Sequence, residues 1–313
     1  MARMIATLGL IGIALVLPAG AAHAWGPQAH RVVALIADRA LQQGEGAVRA
    51  KVQALLATDK GSKLTKNDIA SEALWADVLR DKSEEARRAT AAWHSARLRP
   101  DNPDLKRACF GRNPLPEGYP ASHGPAENCS VDKVAQFAAE LKDPGASQGE
   151  KLMALQFLLN LVGDLNDPLH AIDKGDQGGL CTAVQIGDKP PVRLSTWWQE
   201  TLAGDIIGPD AAKGAARIAA SIPASDTQKW AAGAPEDWAE ETFQVAKGVV
   251  YDFGGGPAGK HSFPPAKGES EPCQSVDLYK VSADYETKAL AAARMQLVRA
   301  GLRLAALLRD NLK

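Results

Sequence analysis

The sequence predicts an all-α fold, a single mainly helical domain over residues 25–313, and three observations carry that expectation. Apolar residues recur at three- and four-residue spacing in one segment after another. Ser147-Gln148-Gly149-Glu150 has the spacing of a capping box and precedes a run that is apolar nearly all round. The 313 residues contain no internal repeat and no linker-like stretch, which suits one large domain.

Taken in order, Pro27 fits the first position of a helix that continues through His30-Arg31-Val32-Val33-Ala34-Leu35-Ile36. Residues 65–80 read as a second helix carrying Trp75 and Asp77. Residues 101–128, rich in Pro, Gly and Asn, read as a long loop. From Ser130 a helix places Val131, Val134, Phe137, Ala138 and Leu141 on one face. The capped helix after Ser147 runs through Leu152, Leu155, Leu159 and Val162 to a stop at Pro168, and its all-round apolarity marks it for the centre. Residues 173–194 are Gly-rich and then alternate over Thr182-Ala183-Val184-Gln185-Ile186, the pattern of a short β-hairpin. A second Gly/Pro loop covers 254–272, and a long helix from about Ser282 to Leu312 carries Leu290, Leu297, Leu304 and Leu308 along a seam.

The first 24 residues read as a signal peptide. Arg3 gives a positive start, Ile5 to Val16 an apolar stretch short for a membrane span, and Ala22-His23-Ala24 a cleavage pattern. Cleavage there makes Trp25 the amino terminus and implies a periplasmic or extracellular protein with no membrane span after processing. Four cysteines, Cys109, Cys129, Cys181 and Cys273, then suit two disulfides in an oxidising compartment. Sequence allows three pairings; Cys109 with Cys129 and Cys181 with Cys273 are preferred. With 36 Lys and Arg against 37 Asp and Glu, no strongly basic face is implied. Any nucleic acid would be gripped at a site rather than by overall charge.

The chemistry-bearing residues lie in a few short strings. Trp25-Gly26-Pro27-Gln28-Ala29-His30 places a free amine, with a pKa of about 7.7–8, and its carbonyl where they could chelate a metal. Trp75-Ala76-Asp77-Val78-Leu79-Arg80 and Trp93-His94 offer a carboxylate and an imidazole. Asp164 interrupts an otherwise apolar helix, so a metal or another cation must compensate it; a salt bridge to Arg80 is the plainer alternative. Any one of these histidines alone is more often structural than a ligand.

Their order resembles the nuclease S-one and nuclease P-one family of zinc-dependent single-strand nucleases, related to the zinc phospholipases C. It runs Trp-Gly-x-x-x-His, Trp-Ala-Asp-x-x-Arg, Trp-His, then Gly163-Asp164-Leu165-Asn166-Asp167-Pro168-Leu169-His170. The similarity continues through Gly175-Asp176-Gln177-Gly178-Gly179 and Pro235-Glu236-Asp237-Trp238 to Gln296-Leu297-Val298-Arg299-Ala300-Gly301, covering nearly all of residues 25–313. The resemblance implies the fold of that family and three zinc sites. The first would use Trp25, His30 and Asp164, all present. The second would use Asp77, His94 and the same Asp164, but Asn160 stands where a histidine is expected. For the third, His170 is present while Ser195 and Gln199 replace a histidine and a carboxylate. Arg97 and Leu180 are further departures. One or two zinc ions are therefore expected rather than three, with Arg80 and Asp164 as catalytic residues.

The implied activity is metal-dependent phosphodiester hydrolysis of single-stranded DNA, RNA or nucleotide phosphoesters by a monomer; Trp197 and Trp198 are candidates for stacking bases, with core packing an alternative of at least equal weight. The competing expectation is a catalytically silent member that binds a phosphorylated ligand, a metal or a partner, with Arg97 and Arg193 filling charge space left by a metal.

Overall fold

The computed structural model describes residues 25–60, 64–265 and 272–312. The expected signal peptide, residues 1–24, lies outside the described residues, as does the 266–271 portion of the second Gly/Pro loop. The architecture is mainly helical, with a small four-stranded sheet on one side and two disulfides.

At the centre stands the helix Gln148–Leu165, opened by the capping box: Ser147 Oγ accepts from Glu150 N at 3.3 Å and Glu150 Oε2 from Ser147 N at 2.6 Å. Every residue from Ala154 to Leu165 is buried, so polar groups on that stretch must find partners inside the protein. The helices Ser130–Lys142, Pro27–Gly44 and Ala283–Asn311 pack around it. Pro27 takes a first-turn position and Ser282 Oγ caps the last helix through Tyr285 N at 3.1 Å.

The first and last helices meet closely at Gly301. A Cβ there would lie 2.5 Å from Ile36 Cγ2, 2.6 Å from Ile36 Cβ and 3.1 Å from Val33 O. Two of those neighbours are a β-branched carbon and a backbone oxygen, neither of which can swing aside. Gly301→Ala is accordingly expected to destabilise the protein by about 1–3 kcal/mol through overpacking, measured as a drop in the urea midpoint.

The structure departs from the sequence reading in several places. Residues 65–80 form two helices, Ile69–Glu72 and Trp75–Lys82, broken at Ala73 and Leu74. Asn160 Nδ2 donates to Ala73 O at 3.0 Å, so a side chain from the central helix takes a carbonyl that would otherwise serve the ladder. The central helix stops at Leu165, before Pro168, which instead opens the short helix Pro168–Ala171 with Asp167 as its cap. The loop of residues 101–128 contains the short helices Leu105–Ala108 and Ala121–His123.

The expected hairpin is present as strands β1 (Thr182–Ile186) and β2 (Val192–Arg193), but it belongs to a larger sheet. Strands β3 (Gly259–His261) and β4 (Val276–Val281) complete the order β2-β1-β4-β3. β1 and β4 run parallel from Thr182↔Asp277 to Ile186↔Val281, and the outer pairs are antiparallel. Disulfides join Cys109 to Cys129 and Cys181 to Cys273. Among the described residues, no helix is long and apolar enough to cross a membrane.

Candidate metal centre

Asp164 is fully buried in the last turns of the central helix, and its partners come from two other elements. His94, in the short helix Ala91–His94, brings Nδ1 to 2.6 Å from Asp164 Oδ2. His30, in the first helix, brings Nε2 to 3.2 Å from Oδ1 and to 3.8 Å from Asp77 Oδ2. The glycine before Asp164 permits this approach: a Cβ on Gly163 would lie 2.9 Å from His30 Nδ1. Arg80 is not the partner of Asp164. Its Nη2 donates to Asp77 Oδ1 at 2.9 Å, one helical turn away on its own helix.

Burial alone would raise the Asp164 carboxyl, but the adjoining imidazoles of His30 and His94 outweigh it and hold the group well below the ordinary carboxylate range. Burial likewise opposes charge on His30, yet the carboxylates of Asp164, Asp77 and Asp167 prevail and raise its pKa above 6.5. His170 is pushed down to about 3 by burial, with Arg97 adding to the effect, so its imidazole is neutral. The neutral ring donates from Nδ1 to His94 O at 2.6 Å, which leaves Nε2 as an acceptor.

Several buried polar atoms in this cluster have no hydrogen-bond partner: both ring nitrogens of His30, His94 Nε2, Asp164 Oδ1 and Asn160 Oδ1. His30 Nε2 and Asp164 Oδ1 face each other at 3.2 Å, short of a well-formed hydrogen bond, and once His30 is neutral one of its ring nitrogens, with Asp164 Oδ1, Asn160 Oδ1 and His94 Nε2, can offer a lone pair to a cation. Against them stands Asp77, whose oxygens already accept from Arg80 and, at 3.0 Å, from Asn160 Nδ2. The expected ligands are also not drawn into a tight group of three. Among the described residues, the one trio of His, Cys, Asp or Glu with donor atoms all within 4.8 Å is Cys109, Cys129 and Asp132, and its two sulfurs are bonded to each other.

The residues at Asp164 and His30 are chemically suited to a cation, Asp77 is already engaged by Arg80 and Asn160, and Ser195 and Gln199 are poor ligands beside His170. Ser195 is buried with its hydroxyl unpartnered, and Gln199 Nε2 donates to Asp167 Oδ2 at 2.7 Å. Asp167 is fully buried, and burial lifts its carboxyl to about 7, with the charge of Asp164 adding to the rise.

The amino-terminal side is built by the neighbouring helical segment Trp197–Leu202. Gly26 N donates to Gln199 O at 3.1 Å, and Trp25 stacks on Trp198 with ring centroids 6.3 Å apart. Trp25 and Trp198 are fully buried and Trp197 nearly so, which decides for core packing over base stacking at Trp197 and Trp198. Arg193 also lies elsewhere: it donates to Leu180 O at 2.6 Å and Pro264 O at 2.7 Å, bracing the second loop.

Over the cluster opens a cleft of about 670 Å³ whose walls include Arg80, His94, Arg97, Arg107, Phe110 and His170. Arg97 rests against the backbone at Gly178. Sequence reading missed Asp167, Arg107 and Phe110. Asp167 carried a weak signal as a residue before proline, whereas Arg107 and Phe110 sit in an aperiodic loop without one. A model described as S1/P1 Nuclease matches residues 25–313. No curated protein matches the chain.

Proposed function

We propose, on the premise that the chain belongs to the S1/P1 nuclease family, that it is an exported, metal-dependent phosphodiesterase acting on single-stranded nucleic acid or nucleotide phosphoesters with a reduced metal set. The family is generally zinc-dependent and acts on nucleic acid. The observation that carries the proposal is the gathering of His30 and His94 on the buried Asp164 carboxylate, with His94 also lining an arginine-walled cleft. Trp25, His30 and Asp164 would hold one zinc. Asp164, His94 and Asp77 would hold a second, with Asn160 Oδ1 beside them. His170 alone is too little for a third.

Bound in this way, zinc supplies Lewis acidity and a water acidified toward neutral pH. The chain's own side chains do the rest. Asp77 holds the Arg80 guanidinium at the cleft wall, where it meets negative charge on the phosphate. Neutral His170 presents an acceptor rather than a competing positive charge. Leader removal after Ala24, a single domain over 25–313 and a monomeric state belong to the same proposal.

A second reading, a catalytically silent binder of a phosphorylated ligand, a metal or a partner, is favoured by the internal closure of the second position. Asp77 is satisfied by Arg80 and Asn160, and His94 is bonded directly to Asp164. Zinc per chain in correctly processed protein separates the two. About one to two zincs with chelator-sensitive cutting of single-stranded DNA is the expected outcome. Trace metal and no hydrolysis with added zinc would leave the silent binder standing.

A further inference from the structure

We infer that Arg97 is a metal-independent anion receptor in the cleft, its guanidinium taking the phosphate group of a phosphoester beside His170. The inference deepens the phosphoester reading given above and rests on it. Five arginines line the cleft: Arg80, Arg87, Arg97, Arg99 and Arg107. Three are already engaged, Arg80 by Asp77, Arg87 by Glu84 and Arg99 by Asp101. Arg107 is exposed, so its charge is solvated and screened. Arg97 differs from all four. It is half-buried, and among the described residues its side chain makes no hydrogen bond, ion pair or ring contact. Its Nε is shut off from solvent without a partner, while the Nη groups reach the cleft. Burial has weakened its hold on water and nothing in the protein has replaced that hold, so an entering anion meets little competition.

Local backbone holds the side chain there. Ala96 N donates to His170 O at 3.0 Å and Leu98 N to Ala171 O at 2.9 Å, so Arg97 lies between two hydrogen bonds to the segment that carries His170. Side chains alternate along this extended stretch. Ala96 and Leu98 are buried, whereas Ser95, Arg97 and Arg99 line the cleft. Gly178, at φ 69°, leaves room on the other side: a Cβ there would lie 3.0 Å from Arg97 Nη2 and 3.1 Å from Leu169 O. A guanidinium confined in this way has little freedom left to lose on binding.

The surroundings leave that charge for a ligand. Asp176, the buried carboxylate of the loop that carries Gly178, is taken by Thr182 Oγ1 at 2.6 Å and by the Tyr251 hydroxyl at 2.9 Å. The carboxylates of the cleft wall, Asp81, Asp104, Glu127 and Asp173, form no ion pair with Arg97. His170 is neutral, and Ser195 and Gln199 are poor cation ligands. The fixed positive charge next to His170 is therefore the guanidinium's own, and its planar fork matches two oxygens of a phosphate.

The test is binding of thymidine monophosphate to the chelator-treated full protein, so that neither zinc nor cleavage contributes. Calorimetry gives Kd, and the rise in Tm on adding the nucleotide is measured beside it. Arg97→Met keeps the length of the side chain and removes its charge; it should weaken binding about tenfold and abolish most of the rise in Tm. Arg107→Met should change Kd by about twofold or less. Thymidine, which lacks the phosphate, should not distinguish wild type from Arg97→Met. Arg97→Lys keeps the charge and loses the fork, so it should bind about threefold more weakly, and it carries the test if Arg97→Met does not fold. A purely structural arginine would lower Tm with and without nucleotide and leave the increment intact. Either Arg97 variant binding as tightly as wild type, or an intact increment in Arg97→Met, refutes the receptor. Failure of wild type to bind the nucleotide refutes it too, and zinc-dependent cleavage of single-stranded DNA then judges the phosphoester reading separately.

Discussion

Asp164→Asn is expected to remove bound zinc, reduce phosphodiester cleavage about a thousandfold or more, and destabilise even the metal-free protein. The variant keeps the shape of the side chain and deletes its charge, which isolates the electrostatic contribution. In the native arrangement the carboxylate is fully buried, 2.6 Å from His94 Nδ1 and 3.2 Å from His30 Nε2. Removing one member of a buried charged cluster typically costs about 3–5 kcal/mol, because the others lose their partner without regaining water. Urea unfolding of chelator-treated protein at neutral pH measures that loss directly, and zinc content and cleavage are read on the same preparations. A variant that unfolds at the wild-type midpoint and keeps its zinc would refute the central place given to this carboxylate. Asp77→Asn is the instructive comparison: its carboxylate is held by Arg80 and Asn160, so its removal should cost metal at the second position more than it costs the fold.

Retaining Ala24 ahead of Trp25 is expected to weaken the tightest zinc about a hundredfold while leaving the melting temperature of the metal-free protein unchanged. An internal amide nitrogen carries no available lone pair at neutral pH, unlike a free amine whose pKa is near 8. The packing that fixes the first residues does not depend on cleavage. Trp25 is buried against Trp198, and Gly26 N is tied to Gln199 O at 3.1 Å in either form. Competition with a chromophoric chelator gives the two affinities. Equal affinity in the extended and processed forms would exclude the terminal amine as a ligand, leaving His30 and Asp164 to act without it.

Much of the helical frame was legible because its signals are local. Pro27 in a first turn, the Ser147–Glu150 box and the Ser282 cap each announce an end within a few residues of themselves. Asp164 was legible as a buried carboxylate in need of partners for a related reason, since one carboxylate in a wholly apolar run demands them. Which partner it takes was not legible from the residues alone; only the family resemblance grouped it with His30 and His94. Arg80 is met first by Asp77 three positions away, whereas His30 and His94 reach Asp164 only through the packing of separate helices. The break at Ala73 has the same character, imposed by an Asn160 side chain 87 positions along the chain.

What the sequence left undecided or overlooked also has physical causes. Trp197 and Trp198 are adjacent and both buried, with Trp25 stacked on Trp198 and Tyr285 on Trp197. Consecutive inward residues give no amphipathic stripe from which burial could be read. β4 was overlooked because Asp277 and Lys280 dilute its apolar alternation and its parallel neighbour lies far back in the chain. Phe110 has no periodic context at all, so its place at the cleft wall beside a disulfide could not be read.

The ladder between β1 and β4 bears on biosynthesis. Its rungs pair Thr182 with Asp277 and Ile186 with Val281, and the neighbouring cysteines cross-link the same two segments over 92 positions. Nothing between such distant rungs can zip early, so this sheet must assemble after the stretch that separates them has been made. Sealing the sulfur bridge then removes roughly 4–5 kcal/mol of freedom from the unfolded chain. The sheet side of the molecule is therefore where oxidation adds most to the folded chain's stability.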